Sequence, residues 1–146
     1  MAGSFVVITH KGTEDAYSIL NQLYEKLSDL SEPLADVGEH LLLSHRDRWN
    51  AQESPDGEAW APLSPAYQAR KPKHANEILR LNDDLRDTLN YQADPLALYF
   101  GTPLEYGAAQ QFGYEDTNLP ARPYLGLSQQ DAEDVTSILS GYLELD

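Results

Sequence analysis

The sequence predicts an α+β fold in which a small antiparallel β-sheet packs with amphipathic helices. Two N-terminal segments and one C-terminal segment carry apolar residues at helical spacing. One central segment instead alternates apolar and polar residues on both sides of a turn, as the strands of a hairpin do. The chain has 146 residues, a length typical of one domain with its own core, so we expect residues 1–146 to form a single domain.

The first predicted elements are a strand and a helix. Residues 5–10 form a short β-branched and aromatic run ahead of Gly12, which predicts the first strand of the sheet. Thr13 then stands where it can cap a helix whose first turn carries Glu14 and Asp15. Six apolar residues recur on one face of this helix, and we expect them to be core: Ala16, Ile19, Leu20, Leu23, Leu27 and Leu30.

A second amphipathic helix is predicted from about residue 34 to residue 50, after the break at Ser31-Glu32-Pro33. Its apolar side carries Leu34, Val37, Leu41 and Trp49, and we expect the two helices to share an apolar interface. Ser54-Pro55-Asp56-Gly57 then predicts a turn. Trp60 follows between prolines and a glycine, and we expect its side chain to anchor an ordered loop.

The middle of the chain predicts two short helical segments and a hairpin. Ser64-Pro65 is typical of a helix start, and Lys71-Pro72 ends that helix. Residues 77–81 resume helical character. Around Ala93-Asp94-Pro95, period-2 apolarity predicts a β-hairpin whose apolar positions are Leu85, Leu89, Tyr91, Leu96, Leu98 and Phe100.

The C-terminal third predicts a short helix, an edge strand and a final helix. Residues 105–112 fit a helix that Gly113 ends in a left-handed conformation. Residues 122–125 fit an edge strand, because the flanking prolines lack a donor for a central ladder. Ser128-Gln129-Gln130-Asp131 resembles a capping box, and the helix after it is amphipathic through Ala132, Val135, Ile138, Leu139 and Tyr142.

The charge is strongly acidic, with ten Lys and Arg against twenty-four Asp and Glu and a net charge of −14. From residue 101 onward, Arg122 is the only basic residue among eight acidic ones. Such a surface repels phosphate backbones. Three interpretations stay open: a solvated face that aids solubility, a surface past which DNA slides without sticking, and a mimic of DNA.

No residue pattern predicts a catalytic, cofactor-binding or metal site. The chain has no cysteine. His40 and His45 are five residues apart, whereas zinc-binding histidines on one helical face are about four apart. Asp36 and His40 have the right spacing but no third ligand, so a polar pair on the helix surface explains them better. Asn82-Asp83-Asp84 lacks the ligand spacing of a calcium loop and fits helix capping. The N-terminus lacks a signal peptide and no apolar run fits a membrane span, so we expect a soluble protein made in the cytoplasm.

Positive charge gathers in one cluster, which consists of Arg70, Lys71, Lys73, Arg80 and Arg86. A nucleic-acid contact is one interpretation. Given the acidic remainder, we favour contact with an acidic neighbour, including another copy of the same subunit. Arg122 between Pro120 and Pro123 is expected either to bind a carboxylate across an interface or to form an intramolecular salt bridge. In the first case, Arg122→Ala blocks assembly and leaves the melting temperature nearly intact.

The order of several motifs resembles the phage virion morphogenesis family, also called the tail-completion family, of Mu-like and related contractile-tailed phages. The resemblance covers most of the chain. It rests on Pro55-Asp56-Gly57, Trp60-Ala61-Pro62-Leu63-Ser64-Pro65-Ala66-Tyr67, Ile78-Leu79-Arg80, Tyr106, Gln111-Phe112-Gly113 and Pro120-Ala121-Arg122-Pro123-Tyr124-Leu125-Gly126. The chain departs from the family at Asn82-Asp83, where a small residue and glycine are usual, and at Gly107, where alanine is usual.

The resemblance implies a fold similar to phage neck and tail-completion subunits and a non-enzymatic role at the head-tail junction. The implied partners are other copies in a ring, neighbouring head-completion, tail-terminator or tail-tube proteins, and DNA that passes through the lumen without sequence-specific binding. No cofactor and no membrane is implied. The implied location is the virion, with the host cytoplasm during assembly.

Subunit contacts are predicted at aromatic and proline-rich loops, because aromatic residues and arginine anchor interfaces. The candidate interface residues are Trp60, Tyr67, Phe112, Arg122 and Tyr124. Core packing is the alternative for Trp60 and Phe112. The competing function is an acidic inhibitor that mimics DNA and occupies a host nucleic-acid enzyme, and the charge alone supports it.

Overall fold

The computed structural model describes residues 13–144 of the chain. Within them the fold is α+β, as predicted, with six α-helices and one two-stranded antiparallel sheet. The elements are α1 Thr13–Ser28, α2 Ser31–Ala51, α3 Pro65–Arg70, α4 Asp84–Asp87, β1 Asn90–Ala93, β2 Leu98–Gly101, α5 Tyr106–Phe112 and α6 Gln129–Leu143, with a 3-10 turn at Glu115–Thr117. The strand predicted at residues 5–10 lies outside the described residues.

Helix α2 is the central element, because it packs against the hairpin on one side and against α6 on another. Its buried residues include Val37, Leu41 and Trp49, which confirms the predicted apolar side. The helix begins earlier than predicted. The Ser31 N–H donates to Asp29 Oδ1 at 3.0 Å, so the first turn starts before Pro33.

The predicted β-hairpin is present. Tyr91 pairs with Phe100 in the register of β1 and β2, and Asp94 Oδ1 accepts the N–H groups of Leu96 and Ala97 in the turn. The turn also accepts a hydrogen bond from the Leu30 N–H to the Pro95 carbonyl at 3.0 Å, which ties the hairpin to the α1–α2 connection. Leu85 does not belong to the hairpin and lies in α4 instead.

The core contains an aromatic cluster from three distant parts of the chain. The Trp49 and Trp60 rings meet edge to face at 5.3 Å, and the Trp49 and Tyr124 rings lie 5.2 Å apart. Leu85 completes the buried cluster. Buried aromatic pairs of this kind contribute beyond the area that they remove from water. The cluster therefore fixes the loops that carry Trp60 and Tyr124 onto helix α2.

A buried ion pair joins α2 to α6. Arg48 Nη1 lies 2.6 Å from Asp131 Oδ2, and Arg48 Nη2 donates to the Gly126 carbonyl at 2.7 Å. Asp131 also accepts the Ser128 N–H, and Ser128 Oγ accepts the Asp131 N–H, so the predicted capping box is confirmed. Burial alone raises the pKa of Asp131, but the Ser128 N–H and the Arg48 guanidinium outweigh it and hold the pKa at about 2.

His45 is buried beside this ion pair. Its Nδ1 donates to the Leu41 carbonyl at 2.7 Å, and its Nε2 accepts the Gly126 N–H at 3.3 Å. Burial, and then the charge of Arg48, lower the pKa of His45 to about 4, so the ring is neutral at pH 7. His40 faces Asp131 and Asp134, both at 3.4 Å, and not the predicted Asp36.

The prediction that the apolar stripe of α1 is core is wrong for most of its length. Ile19, Leu20 and Leu27 are exposed, while Leu23 and Leu30 are half-buried. The reason is the packing of the neighbours. Helix α1 contacts α6, whereas α2 packs mainly against the hairpin and α6, so the expected apolar interface between α1 and α2 is not the main packing of either.

Two further predicted elements are absent from the described residues. Residues 77–81 form turns and not a helix, because Leu79 has a φ of 57° and the Ile78 N–H is taken by Gln52 Oε1 at 2.7 Å. Residues 122–125 form no strand, because residues of α5 accept their N–H groups. The Gln110 carbonyl accepts the N–H of residue 122, and Gln111 Oε1 accepts those of residues 124 and 125. Gly113 does end α5 and has the positive φ, 79°, that favours glycine, but its ψ of 171° differs from that of a left-handed helical residue.

Candidate interaction groove

A groove of about 840 Å³ brings together the segments that carry the sequence motifs. Its walls are the loop and helix at 62–71, the segment 79–85, one face of α5 and the loop 117–122. Apolar and tyrosine side chains form much of the lining: Pro62, Leu63, Pro65, Tyr67, Leu79, Leu81, Leu85, Tyr106, Leu119 and Pro120. A concave, largely apolar surface with a few polar groups is typical of a binding site.

Trp60 anchors one wall of the groove, as predicted. The side chain is 5% exposed, and its Nε1 donates to the Pro123 carbonyl at 2.7 Å. The preceding turn at Ser54 to Gly57 closes through the Gly57 N–H to the Ser54 carbonyl at 2.9 Å. The wall at 60–65 is therefore attached to the loop near residue 123, although the two bonded residues are 63 positions apart in the sequence.

Arg122 fastens the same two walls together. Its side chain is 6% exposed, and its Nε and Nη2 donate to the carbonyls of Ala61 and Pro62 at 2.7 and 3.0 Å. Its backbone N–H donates to the Gln110 carbonyl at 2.7 Å. Burial lowers the pKa of this guanidinium below its usual range. No carboxylate of residues 13–144 forms a salt bridge with Arg122, so the expected intramolecular salt bridge is wrong, and two backbone carbonyls of its own chain accept hydrogen bonds from the guanidinium instead.

Gln111 is a structural residue whose role the sequence analysis did not identify. Its Oε1 accepts the N–H groups of Tyr124 and Leu125, both at 2.9 Å, and its Nε2 donates to the Leu125 carbonyl at 3.1 Å. One side chain thereby satisfies three backbone groups that a strand would have paired. This explains why the segment 122–125 is ordered without being an edge strand.

Gly107 leaves room for the Tyr124 side chain to pack against α5. A Cβ at this position would lie 2.6 Å from the Tyr124 hydroxyl and 2.8 Å from Thr102 Cγ2. These distances are too short for a side chain at residue 107. The departure from the usual alanine of the family therefore matches the close packing of α5 against Tyr124.

A charged network forms the wall at 77–86. Arg80 Nε and Nη2 contact the two carboxylate oxygens of Asp83 at 2.6 and 3.0 Å, and Arg80 also pairs with Glu77. Arg86 lies 3.5 Å from Asp83 and 2.9 Å from Asp87. The hydrogen bond from Arg80 outweighs burial and lowers the pKa of Asp83 to about 2. Asp83 precedes α4, but its side chain makes no cap, so the capping explanation is wrong for it.

Most of the predicted basic cluster is engaged in contacts within the chain. Arg80 and Arg86 belong to the charged network, and the Lys71 ammonium is buried and donates to the Glu77 carbonyl. Burial lowers the pKa of Lys71. Arg70 and Lys73 are exposed, and no carboxylate of residues 13–144 forms a salt bridge with either. Only these two cations of the cluster stay open to a neighbour.

The five predicted interface residues divide into two groups. Trp60, Arg122 and Tyr124 are buried; Arg122 belongs to the groove lining, whereas Trp60 and Tyr124 support the walls from the core. Tyr67 is 37% exposed and lines the groove, while Phe112 is 79% exposed and lies outside it. Core packing, the alternative for Trp60 and Phe112, is therefore confirmed for Trp60 and wrong for Phe112. The groove also contains Gln110, whose Oε1 is buried and has no hydrogen-bond partner among the described residues.

The chemistry of the groove suits binding. Ser64 accepts the Tyr67 N–H at 3.2 Å as the predicted cap of α3, and the described lining contains neither histidine nor cysteine. Across residues 13–144, no group of three or more His, Asp or Glu side chains is placed to hold a metal ion. None of the helices in that range is long and apolar enough to cross a membrane.

Comparison with known proteins gives the same family as the motifs. The family model described as the phage virion morphogenesis family matches residues 12–144. The chain is 26% identical over 133 residues to Mu-like prophage FluMu G protein 1 of Haemophilus influenzae, an alignment that covers 84% of this chain and 88% of the relative. It is 25% identical over 122 residues to tail completion protein S of Escherichia phage P2, which covers 75% of this chain and 81% of that protein. No solved structure matches the chain.

Proposed function

Because this chain belongs to the phage virion morphogenesis family, we propose that it is a structural subunit that completes the phage tail at the head-tail junction. The observation that carries this proposal is the groove, where family motifs from distant parts of the chain converge. Trp60, Gln111 and Arg122 fix the groove walls through buried hydrogen bonds. The motif residues therefore serve the shape of a binding surface.

The proposed subunit acts by contact and not by catalysis. It occupies the virion after assembly in the host cytoplasm, and its partners are other copies of itself and neighbouring head-completion, tail-terminator or tail-tube proteins. The similarity to tail completion protein S of phage P2 supports the tail side of this description. Tyr67 and Phe112 are proposed as direct contacts because they are exposed, and Trp60, Arg122 and Tyr124 as the residues that position the loops.

We further propose that the copies form a ring through which DNA passes without sequence-specific binding. The net charge of −14 supports this, because attraction at every phosphate would slow the DNA. Reversing several lumen-facing carboxylates to lysine is expected to slow DNA release from purified virions, as followed with a DNA-binding dye. Unchanged release kinetics would count against an acidic lumen.

Electron microscopy of a lysate tests the function directly. The phage that encodes this chain would carry a stop codon early in the gene, with the intact gene supplied from a plasmid as the control. DNA-filled heads separate from finished tails are expected, and the plasmid restores joined particles. Emptied heads would move the role to head completion. Normal infectious particles would overturn the proposal and favour the acidic DNA mimic.

A further inference from the structure

We propose that the groove binds Phe112 of a second copy of the same chain, so that the subunits join head to tail. This inference rests on the proposed function and names the contact that builds the ring. The protrusion is defined as Phe112 together with the acidic residues that follow it, Glu115 and Asp116. The groove and the protrusion are both present on each copy.

The protrusion cannot fill the groove of its own chain. Tyr106 and Gln110 line the groove and are four residues apart, so they lie on one face of α5. Phe112 is two residues beyond Gln110, about 200° further around the helix. Its ring is consequently turned away from the groove and is 79% exposed. Because the exposed ring and the apolar groove lie on different faces of α5, the two can meet between two copies of the chain.

The groove suits an aromatic side chain. Tyr67, Leu81 and Leu119 offer apolar contacts in its lining, and its volume of about 840 Å³ exceeds what one phenylalanine ring requires. Gln110 also lines the groove, and its Oε1 is buried and lacks a hydrogen-bond partner within the described chain, so a rotation of this side chain would let it accept an N–H of the arriving segment. Aromatic side chains inserted in such pockets commonly carry most of the energy of an interface.

Charge complementarity also favours contact between the protrusion of one copy and the groove of another. Glu115 and Asp116 are exposed beside Phe112, and the one basic residue after residue 101, Arg122, is buried. The groove lining includes the carboxylates of Asp83, which pairs with Arg80, and Asp84, and the positive charge that is unpaired among residues 13–144 lies beside Tyr67. The Arg70 guanidinium is 6.0 Å from the ring of Tyr67, which lines the groove, and Lys73 follows in the same segment. Opposite charges at the edge of an interface fix its orientation.

A contact between two different surfaces is heterologous. Repetition of such a contact closes into a ring when the rotation between neighbours is a whole fraction of a turn. Every copy then offers one protrusion and one groove. A two-fold symmetric contact would instead place the same residues on both sides.

Cross-linking within assembled particles tests this inference, and the lack of cysteine in the chain makes it specific. One copy would carry Tyr114→Cys beside Phe112, and a second, tagged copy would carry Asn82→Cys in the groove. Both copies would be expressed together in infected cells and treated with a short bismaleimide in purified particles. We expect covalent dimers that contain one copy of each kind. Leu96→Cys, at the exposed hairpin turn, replaces Tyr114→Cys as the matched control and is expected to give none.

Two variants relate the cross-link to the proposed contacts. Adding Phe112→Ala to the Tyr114→Cys copy is expected to reduce the mixed dimer at least about tenfold. Arg70→Glu on the groove copy is expected to reduce it as well, and Glu115→Arg on the other copy is expected to restore it.

Dimers from Tyr114→Cys copies alone would indicate a two-fold contact and overturn the inference. The inference would also be wrong if the Asn82→Cys copy were linked mainly to another virion protein, or if the particles contained the chain but no mixed dimers. These results bear on the contact between copies and leave the proposed role in tail completion untouched. That role is tested separately by the lysate without the chain, where either normal particles or emptied heads would count against it.

Discussion

The loop-rich segment 52–126 contains most of the buried cluster, whereas the regular helix α1 is largely exposed. The segment has little regular structure, yet it supplies three of the four residues in the buried aromatic cluster, Trp60, Leu85 and Tyr124. Helix α1 is regular for sixteen residues, yet its Leu20 is 60% and its Tyr24 is 74% exposed. Burial in this molecule depends on which surfaces meet, and the apolar period alone does not decide it.

The difference arises from specific hydrogen bonds. In the segment 52–126, Trp60, Gln111 and Arg122 satisfy backbone groups across the chain, so irregular backbone can be buried without unpaired donors or acceptors. Helix α1 already satisfies its own backbone and needs no such contacts. It is held through α6, where the Lys26 ammonium donates to the Tyr142 carbonyl at 3.0 Å.

The largest expected effect is that of removing a ring from the aromatic cluster. Trp60→Ala should lower the free energy of unfolding by about 3–5 kcal/mol, because it leaves a cavity and removes the hydrogen bond to Pro123. Tyr24→Ala, on the exposed face of α1, is the matched control and should cost less than about 0.5 kcal/mol. Urea unfolding followed by circular dichroism measures both. Similar losses in the two variants would contradict the comparison.

Acid should weaken the joint between α2 and the loop at Gly126. The pKa of His45 is lowered from 6.5 to about 4 by burial, so the unfolded chain binds a proton in that interval that the folded chain does not. The free energy of unfolding should therefore fall by about 3 kcal/mol as the pH drops from 6.5 to 4. Asp131, whose pKa is lowered from 3.8 to about 2, adds a further loss of folding stability. This loss begins below pH 3.8 and is complete once the pH has fallen through 2.

Unfolding in urea at a series of pH values tests this dependence. His45→Gln should flatten the stability curve between pH 4 and 6.5, since the titrating ring is gone. A slope that survives in His45→Gln would assign the acid sensitivity to other groups.

Arg122→Ala should destabilise the folded chain by about 2 kcal/mol, because the carbonyls of Ala61 and Pro62 lose their donors. This differs from the sequence-based expectation of an intact melting temperature, and burial of the side chain is the reason. Arg70→Ala, at an exposed arginine, should change the free energy of unfolding by less than about 0.5 kcal/mol. Thermal unfolding of both variants distinguishes a structural Arg122 from one that acts only in assembly.

The smallest effect is expected on α1 itself. Leu20→Ser should change the free energy of unfolding by less than about 0.5 kcal/mol, since the side chain is already largely in water. Amide exchange should be faster in α1 than in α2, which is buried against the hairpin and α6. A loss above about 1 kcal/mol for Leu20→Ser, or equal protection of the two helices, would remove the contrast between the regions.

The sequence predicted those elements that have local signals. Ser64-Pro65 begins α3, Ser128 and Asp131 form the capping box of α6, and period-2 apolarity identified the hairpin. In each case the decisive contacts lie within a few residues along the chain. The turn at residues 54–57 belongs to the same group.

The main wrong predictions all concern residues whose contacts are made with parts of the chain that are distant in the sequence. The stripe of α1 was predicted to be core, but no local signal says whether a second surface covers it. Residues 122–125 were predicted to be a strand, because the sequence does not show that Gln111 takes their N–H groups. Arg122 was expected to meet a carboxylate, because stiff flanking prolines do not reveal which acceptors lie across the fold.

The sequence by itself determined the α+β class, the starts of α3 and α6, the hairpin and, through its motifs, the family. Only the tertiary structure decided which residues are buried, and hence that Trp60, Arg122 and Tyr124 fix the groove while Tyr67 lines it and Phe112 lies outside it. The physical reason is the separation along the chain over which each interaction acts. Capping, turn formation and periodicity act between near neighbours, whereas burial and ion pairing depend on residues such as Arg48 and Asp131 that meet only after the chain has folded.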